Sequence, residues 1–187
     1  MSRVIENPRE LILNKAYEIL YNEGYSSISI RRVAKECDIA VGTIYNYFPN
    51  KKELVVEMMA NFWEEYFYNI KIILSSNEEF YTKIKNIYND LSKFINRFRE
   101  VWLKNEIYSS PDYIESGLKK QDIYIDKLIL LIEELLKKEV DSSDIENIKR
   151  LDTDKMAGFI VANFISMVQM PYFDYEFFEK ILKELIQ

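Results

Sequence analysis

The run Ile28-Ser29-Ile30-Arg31-Arg32-Val33-Ala34-Lys35-Glu36-Cys37-Asp38-Ile39-Ala40-Val41-Gly42-Thr43-Ile44-Tyr45-Asn46-Tyr47-Phe48-Pro49-Asn50 has the spacing of two short helices joined by a tight turn. Ser29 stands as the N-cap of a helix over residues 30–37. Asp38-Ile39-Ala40 forms the turn, residues 41–48 the second helix, and Pro49-Asn50 ends it. Val33, Ala34, Ile39, Ile44 and Phe48 fall where two such helices bury a common seam, and the small Ala34 lets them approach closely. That is the geometry of a helix-turn-helix. The outer face of the second helix then offers Val41, Gly42, Thr43, Tyr45, Asn46 and Tyr47. These short or planar hydrogen-bonding groups suit a helix entering a DNA major groove with its N-terminal end toward the base edges.

Upstream, residues 9–23 repeat apolar side chains at helical spacing, with Ile12, Ala16, Ile19 and Leu20 on one face. Pro8 suits the start of this helix and Gly24 its end. Downstream, a long helix is predicted from residue 51 to about residue 74, with Leu54, Met58, Phe62 and Tyr66 four apart. Further helices are predicted over residues 78–108, 111–140, 152–171 and 174–187, separated by Ser, Asp, Asn and Pro clusters. No β-alternation is visible. The expected fold is all-α: an N-terminal three-helix helix-turn-helix domain, residues 1–50, joined by a long helix to a helical ligand-binding and dimerisation domain, residues 51–187.

Composition narrows the chemistry. The chain has no histidine and one cysteine, Cys37. Serine–histidine and cysteine–histidine catalysis, histidine-ligated zinc and an internal disulfide are therefore excluded. No glycine-rich phosphate loop or cluster of metal ligands is visible, so neither an enzyme nor a cofactor is expected. No apolar run approaches the roughly 18 residues of a membrane helix, and no secretory leader precedes residue 9, so a cytoplasmic location is expected and no membrane partner. The net charge of −6 looks wrong for a nucleic-acid binder, but it is unevenly spread. Residues 1–55 carry 8 Lys+Arg against 7 Asp+Glu, and residues 56–187 carry 17 against 24. This is the pattern of a DNA-contacting head on an acidic body. Cys37 reads as a packing residue.

The segment 34–54 resembles the TetR family, whose core pattern is Ala-x-x-x-Gly-Val-Ser-x-Gly-Thr-x-Tyr-x-Tyr/His-Phe-x-x-Lys-x-x-Leu. Ala34, Gly42, Thr43, Tyr45, Tyr47, Phe48, Lys51 and Leu54 match, and Ile39 is a conservative replacement. Two positions depart. Asp38 replaces the turn glycine, and Asp tolerates the left-handed conformation better than most residues. Ala40 replaces serine, which removes a side chain able to cap the recognition helix or touch a phosphate. The resemblance implies phosphate contacts from Ser29, Thr43, Tyr47 and Lys51, and a base-facing set of Arg31, Val41, Gly42, Tyr45 and Asn46. Arg31 can bond guanine bidentately and Asn46 adenine, and Gly42 would let the backbone come close to a base edge. Phe48 reads as core. Tyr45 reads as DNA-facing, with core packing as its alternative.

One helix-turn-helix reads few base pairs, so the resemblance implies a homodimer on double-stranded operator DNA. The last two helices offer the interface, through Phe159, Phe164, Met167, Phe178, Ile181, Leu182 and Leu185; packing within one chain is the alternative. Aromatic residues make up 14% of the chain and crowd its middle. They suggest a pocket for a small-molecule effector, aromatic or a cationic lipophile, walled by Trp63, Phe67, Phe98 and Trp102, with plain core packing again the alternative. The function expected is a DNA-binding transcriptional regulator, a repressor released by its effector. The competing expectation is a ligand-independent helix-turn-helix or protein-interaction module.

Overall fold

The structure is a computed structural model that describes residues 6–100, 111–142, 152–170 and 172–186, without the side chains of residues 111–121. Among the described residues it is all-helical. The elements are α1 (Pro8–Glu23), a 3₁₀ turn η1 (Tyr25–Ser27), α2 (Ile30–Glu36), α3 (Val41–Tyr47), α4 (Lys51–Ser75), α5 (Phe80–Phe98), α6 (Pro111–Ser142), α7 (Thr153–Gln169) and α8 (Tyr175–Ile186). Among the described residues no helix is long and apolar enough to cross a membrane. The chain divides into two units, Met1–Glu65 with Arg97–Tyr113, and Tyr66–Asn96 with Ile114–Gln187.

The first unit, the head, is built by α1, η1, α2, α3 and the first part of α4. Asn7 caps α1, with Pro8 in its first turn where a missing N–H costs nothing. Gly24 ends the helix at φ 85°, its N–H donating to the Leu20 carbonyl at 3.1 Å. Ile12, Leu13, Ala16, Ile19 and Leu20 of α1 join Ile28, Ile30, Val33, Ala34, Cys37, Ile44 and Phe48 in one buried cluster. Leu54, Val55 and Met58 complete it, so the first turns of α4 belong to the packing of the head. Two polar ties reinforce α1 against α4: the Tyr17 hydroxyl donates to the Met58 carbonyl, and Arg9 pairs with Glu57. Burial of its ring in this contact pushes the Tyr17 phenol well above its ordinary pKa.

In the second unit the helices bury apolar stripes. α5 buries Phe80, Ile84, Ile87, Leu91 and Phe94 at alternating steps of three and four residues. It begins at Phe80 rather than at residue 78, because Glu78 is engaged by Ser76 in the preceding bend. Its α-helical part ends at Phe98, residues 99–100 continue it as a π-helical turn, and residues 101–108 of the expected helix lie outside the described residues. α6 buries Leu128, Ile132, Leu135, Leu136 and Val140. Asp152 caps α7 and Asp174 caps α8, each accepting a backbone N–H three residues on. Tyr88, Phe164, Tyr175 and Phe178 form an aromatic knot, with ring centroids 5.1–6.5 Å apart.

Candidate nucleic-acid interface

The interface is made by three local features. Ser29 accepts the Arg32 N–H at 3.1 Å and so starts α2 where the seam requires it. Asp38 then takes φ 54°, the left-handed conformation that turns the chain between α2 and α3. The N–H of Asp38 donates to Lys35 and that of Ile39 to Ala34, so the turn consumes the last carbonyls of α2. Ala40 opens α3 without a side-chain cap, as its methyl group dictates. Ile44 is wholly buried and Phe48 nearly so, and between them they fix α3 on the head core.

This leaves the opposite side of α3 in solvent. Tyr45 is 50% and Tyr47 39% exposed, and Gly42 and Asn46 are exposed too. Thr43 is half-buried, and Val41 packs partly against the head core, which makes it the least available of the expected base-facing residues. A Cβ built on Gly42 meets nothing within 4 Å. The chain's own packing therefore gives no reason for glycine in α3, where it is a poorer helix former than alanine.

The two arginines of α2 part company. Arg32 pairs with Glu23 at 2.8 Å and Glu36 at 2.9 Å. Arg31 is exposed and forms no ion pair among the described residues, which leaves its guanidinium for an outside acceptor. Lys51 is engaged inward: its ammonium donates to the Tyr25 carbonyl at 3.1 Å. Cys37 lies against the Leu11 carbonyl, Sγ to oxygen 3.9 Å. Burial pushes its thiol up to about 11, so it stays protonated and packs. Among the described residues no cluster of acids and cysteine is arranged to hold a metal ion.

The residues expected at a dimer interface divide. Phe164, Met167, Phe178 and Leu182 are buried within the second unit itself, because α7 and α8 pack on each other and on α5 through that stripe. They are core rather than contact surface. Phe159, Ile181 and Leu185 flank that stripe and are 40%, 40% and 50% exposed, with the Phe159 ring 6.4 Å from that of Phe178. Phe177, an apolar residue of the same last helix that the sequence offers for the interface, is exposed as well.

Three of the four expected pocket residues are described. Trp63 and Phe98 belong to the first unit, ring centroids 6.5 Å apart. Phe67 belongs to the second, where Tyr124 lies 5.8 Å from it and the Lys127 ammonium 4.2 Å over its ring. Trp102 lies outside the described residues.

The family match of the chain falls on the head. Residues 12–58 match the family described as bacterial regulatory proteins, tetR family. Over 66 residues the chain is 33% identical to an uncharacterized HTH-type transcriptional regulator, YuxN, of Bacillus subtilis, which is 35% of this chain and 23% of that protein. Over 56 residues it is 39% identical to the HTH-type transcriptional repressor KstR of Rhodococcus jostii, 30% of this chain and 26% of that protein. The matched part thus spans about a quarter of these relatives' length. The fold extends the likeness: a transcriptional regulator from Cytophaga hutchinsonii superposes with a TM-score of 0.72 over 96% of this chain and 93% of that one, at 17% identity.

Proposed function

We propose that the chain is a regulator of the TetR family, which its head resembles, and that it represses transcription as a homodimer on operator DNA. The observation that carries this reading is the outer side of α3, where Gly42 has no role in the chain's own packing and Tyr45, Asn46 and Tyr47 face solvent. A groove-bound helix gives glycine a purpose, since the bare backbone can come against a base edge. Ser29, Thr43 and Tyr47 hydroxyls are assigned to phosphates, which position the head. Arg31, Asn46 and Tyr45 are assigned to base edges. The repressing sense is taken from the matched relative that is named a repressor.

The dimer is assigned to the outer stripe of α7 and α8, through Phe159, Phe177, Ile181 and Leu185. Gly158, whose built Cβ also meets nothing within 4 Å, lies in the same helix and permits a close helix–helix approach. Release is assigned to a lipophilic small molecule stacking on aromatic side chains. Trp63 and Phe98 are the candidate contacts.

The experiment is a hydroxyl deletion. Thr43→Val with Tyr47→Phe removes two oxygens and keeps shape. It should weaken binding to every duplex sequence alike, by at least about tenfold, or 1.4 kcal/mol. Asn46→Ala should instead change base preference. Unchanged affinity of the double variant at physiological salt would show that these hydroxyls do not face DNA.

A further inference from the structure

A cleft of about 610 Å³ lies within the first unit, between α1 and α4, with Arg97 of α5 at its edge. Its volume falls in the roughly 300–1,000 Å³ range of small-molecule sites. Neither Trp63 nor Phe98 lines it, so it is separate from the effector contacts assigned above. Its apolar part is made by Leu13, Tyr17, Tyr21 and Phe62. Leu13 and Phe62 are buried, and the two tyrosine rings stack with centroids 6.3 Å apart. The Tyr17 hydroxyl donates to the Met58 carbonyl, which holds its ring in place as a wall. Asn14 and Asn61 add side-chain amides that form no hydrogen bond among the described residues.

The charges of the cleft narrow the choice of ligand. The Arg97 guanidinium lies 5.2 Å from the centroid of the Phe62 ring and 5.8 Å from that of Tyr21, and donates to the Tyr21 hydroxyl at 3.1 Å. It is thus held in one place, while a guanidinium has five N–H donors and this hydroxyl takes one. Glu65 stands 3.7 Å from it, beyond hydrogen-bond distance, and both side chains are more than half exposed. Such a pair adds little to stability. Two opposite charges set side by side but not joined match a ligand that carries both charges on neighbouring atoms. A simple anion on Arg97 would meet Glu65, and a simple cation on Glu65 would meet Arg97. Glu10 and Arg9 complete a lining with no net charge. An α-amino acid meets both partners at once, and an aromatic one also covers the rings.

We infer that this cleft binds a free aromatic α-amino acid, with its carboxylate on Arg97, its ammonium on Glu65 and its ring against Phe62 and the tyrosine pair. The two asparagine amides favour a ring that carries a hydroxyl, as in tyrosine. The site does not depend on the operator reading, because its occupancy is measured on the protein without DNA.

Calorimetric titration of the full chain with L-tyrosine should show saturable binding with a Kd below about 1 mM. Tyramine lacks the carboxylate and desaminotyrosine lacks the ammonium. Each should bind at least about tenfold more weakly, since each forfeits one charged contact. Arg97→Gln should weaken L-tyrosine by a similar factor and leave tyramine unchanged. Glu65→Gln should weaken L-tyrosine and leave desaminotyrosine no weaker. A general loss of structure would not produce these crossed patterns. Should Arg97→Gln fail to fold, the two analogues on the parent protein and the Glu65→Gln variant still decide the matter. Absence of saturable L-tyrosine binding, equal affinity for either analogue, or undiminished affinity in the variants would each overturn the inference.

Discussion

Gly42 is the residue at which stability and function pull in opposite directions. Space around it is empty, and glycine is a poorer helix former than alanine. Gly42→Ala should therefore raise the melting temperature of the protein while lowering its affinity for operator DNA by tenfold or more, an effect of about 1.4 kcal/mol. A thermal melt and a binding titration on the same preparation check both signs. A variant that is stabilised and binds as well as its parent would remove the argument that glycine is kept for a close approach. The contact of Lys51 with the Tyr25 carbonyl was not legible in the motif, since it depends on the path of η1, which no spacing rule contains.

At the scale of elements, the turn between α2 and α3 is the hinge of the account. Asp38 holds φ 54° there. A left-handed conformation costs an ordinary L-residue about 1–2 kcal/mol, and more for a β-branched one. Asp38→Val should lower the unfolding free energy by at least that amount, and Asp38→Gly should not lower it; denaturant unfolding of the two variants measures the difference. This turn, the Ser29 cap and the buried seam of Val33, Ala34, Ile44 and Phe48 were legible in the sequence, because each is set by residues within a few positions of one another. The same local rules placed α1 from its proline to its glycine. They could not divide the apolar residues of α7 and α8 between core and surface. Phe164 and Phe159 are alike in composition and differ only in which neighbour the tertiary structure sets against them.

For the whole molecule, the acidic charge of residues 56–187 and the near-neutral head make specific binding depend on contacts rather than on bulk attraction. On the proposed reading, two heads held at a fixed separation read the site together. Replacing Ile181 and Leu185 together by Glu should yield a folded monomer, because both side chains are already exposed in the single chain. Sedimentation should show the halved mass, circular dichroism an unchanged helix content, and operator binding should fall to the level of random DNA. A variant that remains dimeric would move the interface elsewhere. The most direct trial of the proposal that α3 meets the major groove is selection of duplexes by the purified protein from a random pool. The expected product is a pair of inverted half-sites, with centres about one helical turn apart or a multiple of it. A pool that emerges without enrichment, even at low ionic strength, would contradict it.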